Sequence, residues 1–206
     1  MAQGRLITIE GIDGAGKSTL ASALAREIAQ RGRRVELLRE PGGVPVSERI
    51  RALVQDPALT VDGRAEALLY AAARAQLVGE RVRPLLGEGA VVLLDRFVDS
   101  SLAYQGAGRG LGVDEVRAIN RFATGELTPD RTLLLRVDPS AGRARQQTRA
   151  LKPDRMERES ERFFETVAGA YEDLARAEPE RIRPIDANRP PGEVLREALA
   201  AIESLL

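Results

Sequence analysis

The sequence predicts a three-layer α/β fold: a five-stranded parallel sheet with helices on both faces. Three observations carry this. Five short apolar runs have strand length: Leu6–Ile9, Val35–Leu38, Val91–Leu94, Leu133–Val137 and Ile182–Ile185. Apolar residues between these runs recur at helical spacing, so strands and helices alternate. The second, third and fourth runs are rich in Leu and Val with little alternation, the pattern of strands covered on both faces.

The helical segments follow in order. Leu20, Leu24 and Ile28 recur at four-residue steps after the first strand. Ile50, Leu53 and Val54 mark a short helix. Leu68, Leu69, Ala72, Gln76 and Leu77 belong to a long one ending near Leu86, and Val116 with Ile119 to another. Phe163, Val167, Tyr171 and Leu174 form one helical face; Val194, Leu195, Leu199 and Ile202 repeat the pattern at the C-terminus. No repeat or linker divides the chain, so residues 1–206 read as one domain, a size that supports a sizeable core.

Composition removes several functions. With no cysteine and no histidine, neither thiolate metal sites nor a histidine-based triad can be built. Thirty-one basic residues balance thirty-one acidic ones, so the basic excess of a nucleic-acid binder is missing. The start lacks the basic and apolar regions of a secretory signal. No run approaches the roughly 20 apolar residues that span a bilayer. The expectation is a cytoplasmic protein without membrane or nucleic-acid partners.

One motif carries the chemistry. Gly11-Ile12-Asp13-Gly14-Ala15-Gly16-Lys17-Ser18 fits G-x-x-x-x-G-K-[ST] between a predicted strand and a helix opening at Ser18. Such a loop turns backbone N–H groups onto phosphate oxygens, aided by the helix N-terminus. Residues 11–18 and the following Thr19 are therefore the expected ATP site of a P-loop fold. Lys17 supplies a point charge to the β/γ-phosphates, and the Ser18 hydroxyl can ligate Mg²⁺. Asp95 closes an apolar strand at the end that faces the ligand crevice, placing a second oxygen ligand there. Arg96 follows beside the same phosphates.

The class is narrowed by what is missing. There is no N-K-x-D segment of a guanine switch and no LSGGQ signature, and the chain is too short for a motor with large appended domains. Small-metabolite kinases lead. A kinase for another nucleotide or nucleoside and a non-catalytic P-loop ATP-binding module are the alternatives. Arg143, Arg145, Arg149, Arg155, Arg158 and Arg162 crowd one stretch with Lys152, interrupted at Pro153. This reads as an arginine-rich lid over about 142–156, with Arg149 and Arg155, which flank the break, as the cations for transfer.

Several segments together resemble the thymidylate kinase family. They are the P-loop GIDGAGKST, Arg39-Glu40-Pro41-Gly42-Gly43, Tyr70 with Arg74, Asp95-Arg96-Phe97-Val98-Asp99-Ser100-Ser101-Leu102-Ala103-Tyr104-Gln105-Gly106, Gly108-Arg109-Gly110 and Asp154-Arg155. The D-R-x-x-x-S-S-x-A-Y-Q run is the most specific. The resemblance implies phosphorylation of dTMP by ATP with Mg²⁺, on the way to dTTP, in a homodimer. It implies that Asp13 bonds the 3′-hydroxyl and that Arg51 and Arg96 hold the dTMP phosphate. Tyr70 would stack on thymine, Arg74 bond its O4 and Ser101 its N3. Gln105 would line the same pocket, and Tyr104 would crowd the 2′ position. Glu40 and Ser100 lie within the matching segments and complete the expected substrate set. Glu40-Pro41 is a candidate cis peptide in a pocket-shaping loop. Some members carry an arginine inside the P-loop. Here that position is Gly14, which implies the variant whose lid supplies the charge. The loop Asp186–Pro190, with Arg189, is expected around adenine.

Overall fold

The computed structural model describes residues 3–147 and 154–206. Five parallel strands form one sheet: β1 (Arg5–Glu10), β2 (Val35–Arg39), β3 (Val91–Asp95), β4 (Arg131–Arg136) and β5 (Ile182–Asp186), in the order β2-β3-β1-β4-β5. All five predicted strands are present, each within two residues of its expected ends. β1 lies at the centre, where the chain steps to one side for β2 and to the other for β4. Ligands bind at such reversals, beyond the carboxyl ends of the strands. The register Ile9↔Asp95 brings the end of β3 beside the loop that leaves β1.

Strand periodicity explains the two cores. Ile7, Ile9 and Leu93 join one cluster with Leu24 and Ile28 of helix α1 (Lys17–Gln30). Leu6, Val92 and Leu94 point the other way, onto Leu77, Val82 and Phe97. Both faces of β3 are covered, which is why its sequence does not alternate. β2 departs from the expectation. It is an edge strand, and Leu37 is 40% exposed.

The remaining helices are α2 (Pro45–Gln55), α3 (Gly63–Leu77), α4 (Arg83–Gly87), α5 (Val98–Ser101), α6 (Val113–Thr124), α7 (Pro139–Gln147), α8 (Glu161–Ala177) and α9 (Pro191–Ile202). The single helix expected through Leu86 is α3, a π-helical turn over Val78–Val82, and α4. Pro84 follows that turn and cannot donate to the ladder, which the widened turn accommodates. Helix α3 turns its charged residues inward as well as its apolar ones. Leu68 and Ala72 face outward, while Glu66, Ala67, Ala71, Arg74 and Leu77 are buried. Residues 98–108, to which no element was assigned, are α5 and a second π-helical stretch, Leu102–Gly108. Among the described residues no helix is long and apolar enough to cross a membrane.

Candidate active site

A cavity of about 250 Å³ opens beyond the carboxyl ends of β1 and β3. At one end stands the loop 11–18. Its backbone needs left-handed turns, with φ of 81° at Gly14. A Cβ at Gly14 would also run into the Gly142 carbonyl of α7. The two glycines allow α7 to rest on the loop, and an arginine at position 14 would separate them. Lys17 is buried, its Nζ donating to the Gly11 and Ile12 carbonyls at 3.0 and 2.9 Å. Burial and then Arg96 lower its pKa to about 8, opposed by Asp13, Asp95 and Glu10.

Ser18 Oγ donates to Asp95 Oδ2 at 2.7 Å. A hydroxyl and a carboxylate oxygen side by side at the mouth are hard donors that suit Mg²⁺. Among the described residues no cluster of three acidic side chains could cage a metal. Mg²⁺ takes one or two protein ligands and completes its shell with phosphate oxygens and water.

Arg96 forms the wall between loop and cavity. Its φ is +72°, a left-handed conformation that costs a non-glycine residue about 1–3 kcal/mol and survives only where the surroundings enforce it. Its Nη2 donates to Asp13 Oδ1 at 2.5 Å, and its Nη1 to Ser100 Oγ at 3.0 Å. The guanidinium lies 5.0 Å from the Tyr104 ring centre, and the Tyr104 hydroxyl donates to Asp13 Oδ2 at 3.3 Å. Burial would raise Asp13, but Arg96 and Lys17 outweigh it and hold the carboxyl down at about 2. Arg51 lines the same end and donates to the Pro41 carbonyl at 3.0 Å. Burial, then neighbouring Arg39, lower its pKa. This end is rich in cations and ready for an anion.

The far end is built differently. Arg74 is 2% exposed. Its Nε donates to Glu40 Oε2 at 2.6 Å, Nη1 to Ser101 Oγ at 2.9 Å and to Asn120 Oδ1, and Nη2 to the Phe97 carbonyl at 2.9 Å. Among the described residues four of its five N–H groups are engaged, which orients the guanidinium and leaves one donor over. Tyr70, one helical turn before Arg74, lines the cavity with Ser101 and Gln105. Gln105 Nε2 donates to Glu66 Oε1 at 2.9 Å. The Glu40–Pro41 peptide is cis.

Most expected residues thus meet in one cavity: Asp13, Gly14, Gly16, Lys17, Ser18, Glu40, Arg51, Tyr70, Arg74, Asp95, Arg96, Ser100, Ser101, Tyr104 and Gln105 line it. Gly11, Ile12 and Ala15 support it from beneath as the buried part of the loop, and Thr19 is exposed on α1. Arg189 lies on the surface with Asp186 and Glu197 at 3.9 and 3.5 Å. Arg149 lies outside the described residues.

Arg155 departs from its expected role. It does not line the cavity; its Nε donates to the Val54 carbonyl at 2.8 Å and its Nη2 to Glu66 Oε2 at 2.5 Å. Glu66 is fully buried and gathers Arg109 as well, at 3.0 Å. A buried carboxylate needs such partners, and that need turns Arg155 inward. Sequence reasoning missed Glu66, Glu10 and Asn120, along with Met156 on the cavity wall; Asp154, part of a matching segment without an expected role, lines the cavity too. Glu66 had a signal, because Glu66, Tyr70 and Arg74 are spaced by four and share one helical face.

Comparison with known proteins shows the family. A family profile described as thymidylate kinase matches residues 9–198. The chain belongs to the thymidylate kinase family. A thymidylate kinase of Deinococcus radiodurans is 47% identical over 202 residues, 98% of each chain. That of Lactobacillus delbrueckii subsp. bulgaricus is 46% identical over 205 residues, 98% of this chain and 97% of its own. The crystal structure of thymidylate kinase from Ehrlichia chaffeensis superposes with a TM-score of 0.79 at 29% identity, covering 99% of both chains. Members of this family use ATP as phosphate donor.

Proposed function

We propose that the cavity holds dTMP with its phosphate at Arg51 and Arg96 and its base at Tyr70 and Arg74. In this arrangement the chain phosphorylates dTMP to dTDP with ATP seated on residues 11–19. The observation that carries this reading is the polarity of the cavity. Cations crowd the end nearest the P-loop, while the far end offers an aromatic ring and one spare guanidinium donor.

The chemistry is direct in-line transfer. An acceptor phosphate is anionic at neutral pH and needs no base, so the protein has to position and neutralise. Asp13, held ionised, accepts from the 3′-hydroxyl and fixes Arg96 from the opposite side. Tyr104 stacks on Arg96 and fills the space a 2′-hydroxyl would need. Ser101 accepts from Arg74, which frees its own proton for the base. Mg²⁺, held by Ser18 and Asp95, would offset charge on the transferring phosphates. Lys17 leaves its carbonyl partners for the donor phosphates. The lid segment, about 142–156 within one kinase domain over 1–206, would contribute Arg149. Its described flanks meet the site at Gly142 and at Asp154 and Met156. Arg189 and the loop 186–190 lie toward adenine.

The same reading includes a homodimer in the cytoplasm. Leu68 and Ala72 of α3 and Phe122 of the adjoining α6 present apolar side chains to solvent, Phe122 with 93% of its surface. Sedimentation should report twice the chain mass, and Leu68→Glu should halve it. ADP release measured over dTMP, dUMP, CMP, AMP, GMP and thymidine should favour dTMP by at least about tenfold in kcat/KM. Equal use of another acceptor would overturn the substrate assignment.

A further inference from the structure

We propose that Glu10 is a positioning residue that holds Arg96 in place for the acceptor phosphate. This rests on the assignment of that phosphate to Arg96. Glu10 ends β1, is fully buried and does not line the cavity, so it can act only through its neighbours.

Its carboxylate takes up four donors. Oε1 accepts from the Phe97 amide at 2.7 Å and the Ser100 amide at 3.3 Å. Oε2 accepts from Ser100 Oγ at 2.6 Å and the Tyr171 hydroxyl at 3.0 Å. The two amides belong to the turn that leaves Arg96 and enters α5. Fixing them fixes the left-handed backbone of Arg96, which would otherwise relax. The Ser100 hydroxyl donates to Glu10 while accepting from Arg96 Nη1. A chain of two hydrogen bonds therefore runs from Arg96 through Ser100 to Glu10. It places a carboxylate one side chain behind the guanidinium. Asp13 holds the other side of the same guanidinium, so Arg96 is gripped from two directions.

A cap for two amides needs only an oxygen. A second carboxylate oxygen set on the far side of Ser100 serves the arginine. Burying it has a cost: burial, then Asp99, push Glu10 up to about 7, while Ser100, Arg96 and the Phe97 amide pull it down.

Glu10→Gln separates the two roles. The glutamine oxygen can keep both amides, and its nitrogen can donate to Ser100 or Tyr171, so the fold should persist. In the full-length enzyme, KM for dTMP should rise about tenfold while KM for ATP changes by less than about twofold and the melting temperature holds. Arg96→Lys alone should raise KM for dTMP, and adding Glu10→Gln to it should cost less than about a further twofold. Independent, multiplying effects in the double variant, or equal rises in both KM values, would overturn the proposal. Should Arg96→Lys leave KM for dTMP unchanged, the acceptor assignment falls, and this inference with it. If Glu10→Gln does not fold, Ser100→Ala cuts the same chain without touching the amides. It should show the same selective rise, and an unchanged KM for dTMP there would sink the idea.

Discussion

Two carboxylate–arginine pairs stand at the two ends of one cavity, and they titrate in opposite directions. Asp13 with Arg96 is held down at about 2, whereas Glu40 with Arg74 is pushed up to about 7. Burial favours the neutral form of both. Asp13 overcomes it because Lys17 adds a second cation and Tyr104 a donor. Glu40 has Arg74 alone, and among the described residues its Oε1 has no hydrogen-bond partner. The second cation makes the difference: a buried carboxylate facing two cations stays ionised, whereas one facing a single arginine is pushed up. The contrast suits the ligand: a dianionic phosphate at one end, a neutral base at the other.

That comparison can be broken most sharply at the phosphate end. Lys17→Ala should lower turnover by about a thousandfold or more, since Lys17 stabilises charge developing in transfer, while the melting temperature stays within a few degrees. Retained turnover would show that the P-loop end is not where transfer occurs. Arg74→Met should act on function and fold together. It leaves Glu40 buried without its cation, a change of about 3–5 kcal/mol. For a chain of this size that lowers the melting temperature by about 10 °C, with a loss of dTMP binding. A melting temperature equal to that of Lys17→Ala would show that the two ends do not differ in the way described.

The smallest effect concerns pH. Between 4.5 and about 7 folded Glu40 still holds a proton that the unfolded chain has released. Stability therefore falls as pH rises through this window and is regained on acidification. Glu40→Gln removes that contribution, so its melting temperature should vary less between pH 5 and 8, by a few degrees. Asp13 works the other way. Its contribution is present above its ordinary value of 3.8 and is lost only as pH falls toward about 2. An unflattened profile in Glu40→Gln would place the titration elsewhere.

The strands and the P-loop were legible because their signals are local. A run of Leu and Val, or glycines spaced before a lysine, acts through its own backbone. The inward face of α3 is not legible from the sequence because Leu68 and Ala72 repeat at helical spacing on the exposed side, while the neighbouring face carries Glu66 and Arg74 inward. Arg155 misled for a related reason: an arginine beside a break reads as a free cation until a buried acid claims it. Glu10 and Asn120 carry no sequence signal at all. A single acid at a strand end and a single amide on a helix gain meaning from what packs on them.

The sequence by itself determined the parallel sheet, the phosphate loop, the facing acid at Asp95 and the family, because each depends on residues close together in the chain or on a run of matching segments. Only the tertiary structure decided which arginines face substrate and which secure the scaffold. That choice depends on which buried carboxylates lie within hydrogen-bond reach. Glu10, Glu40 and Glu66 meet their partners across 34 to 161 residues of chain, a proximity that packing alone creates.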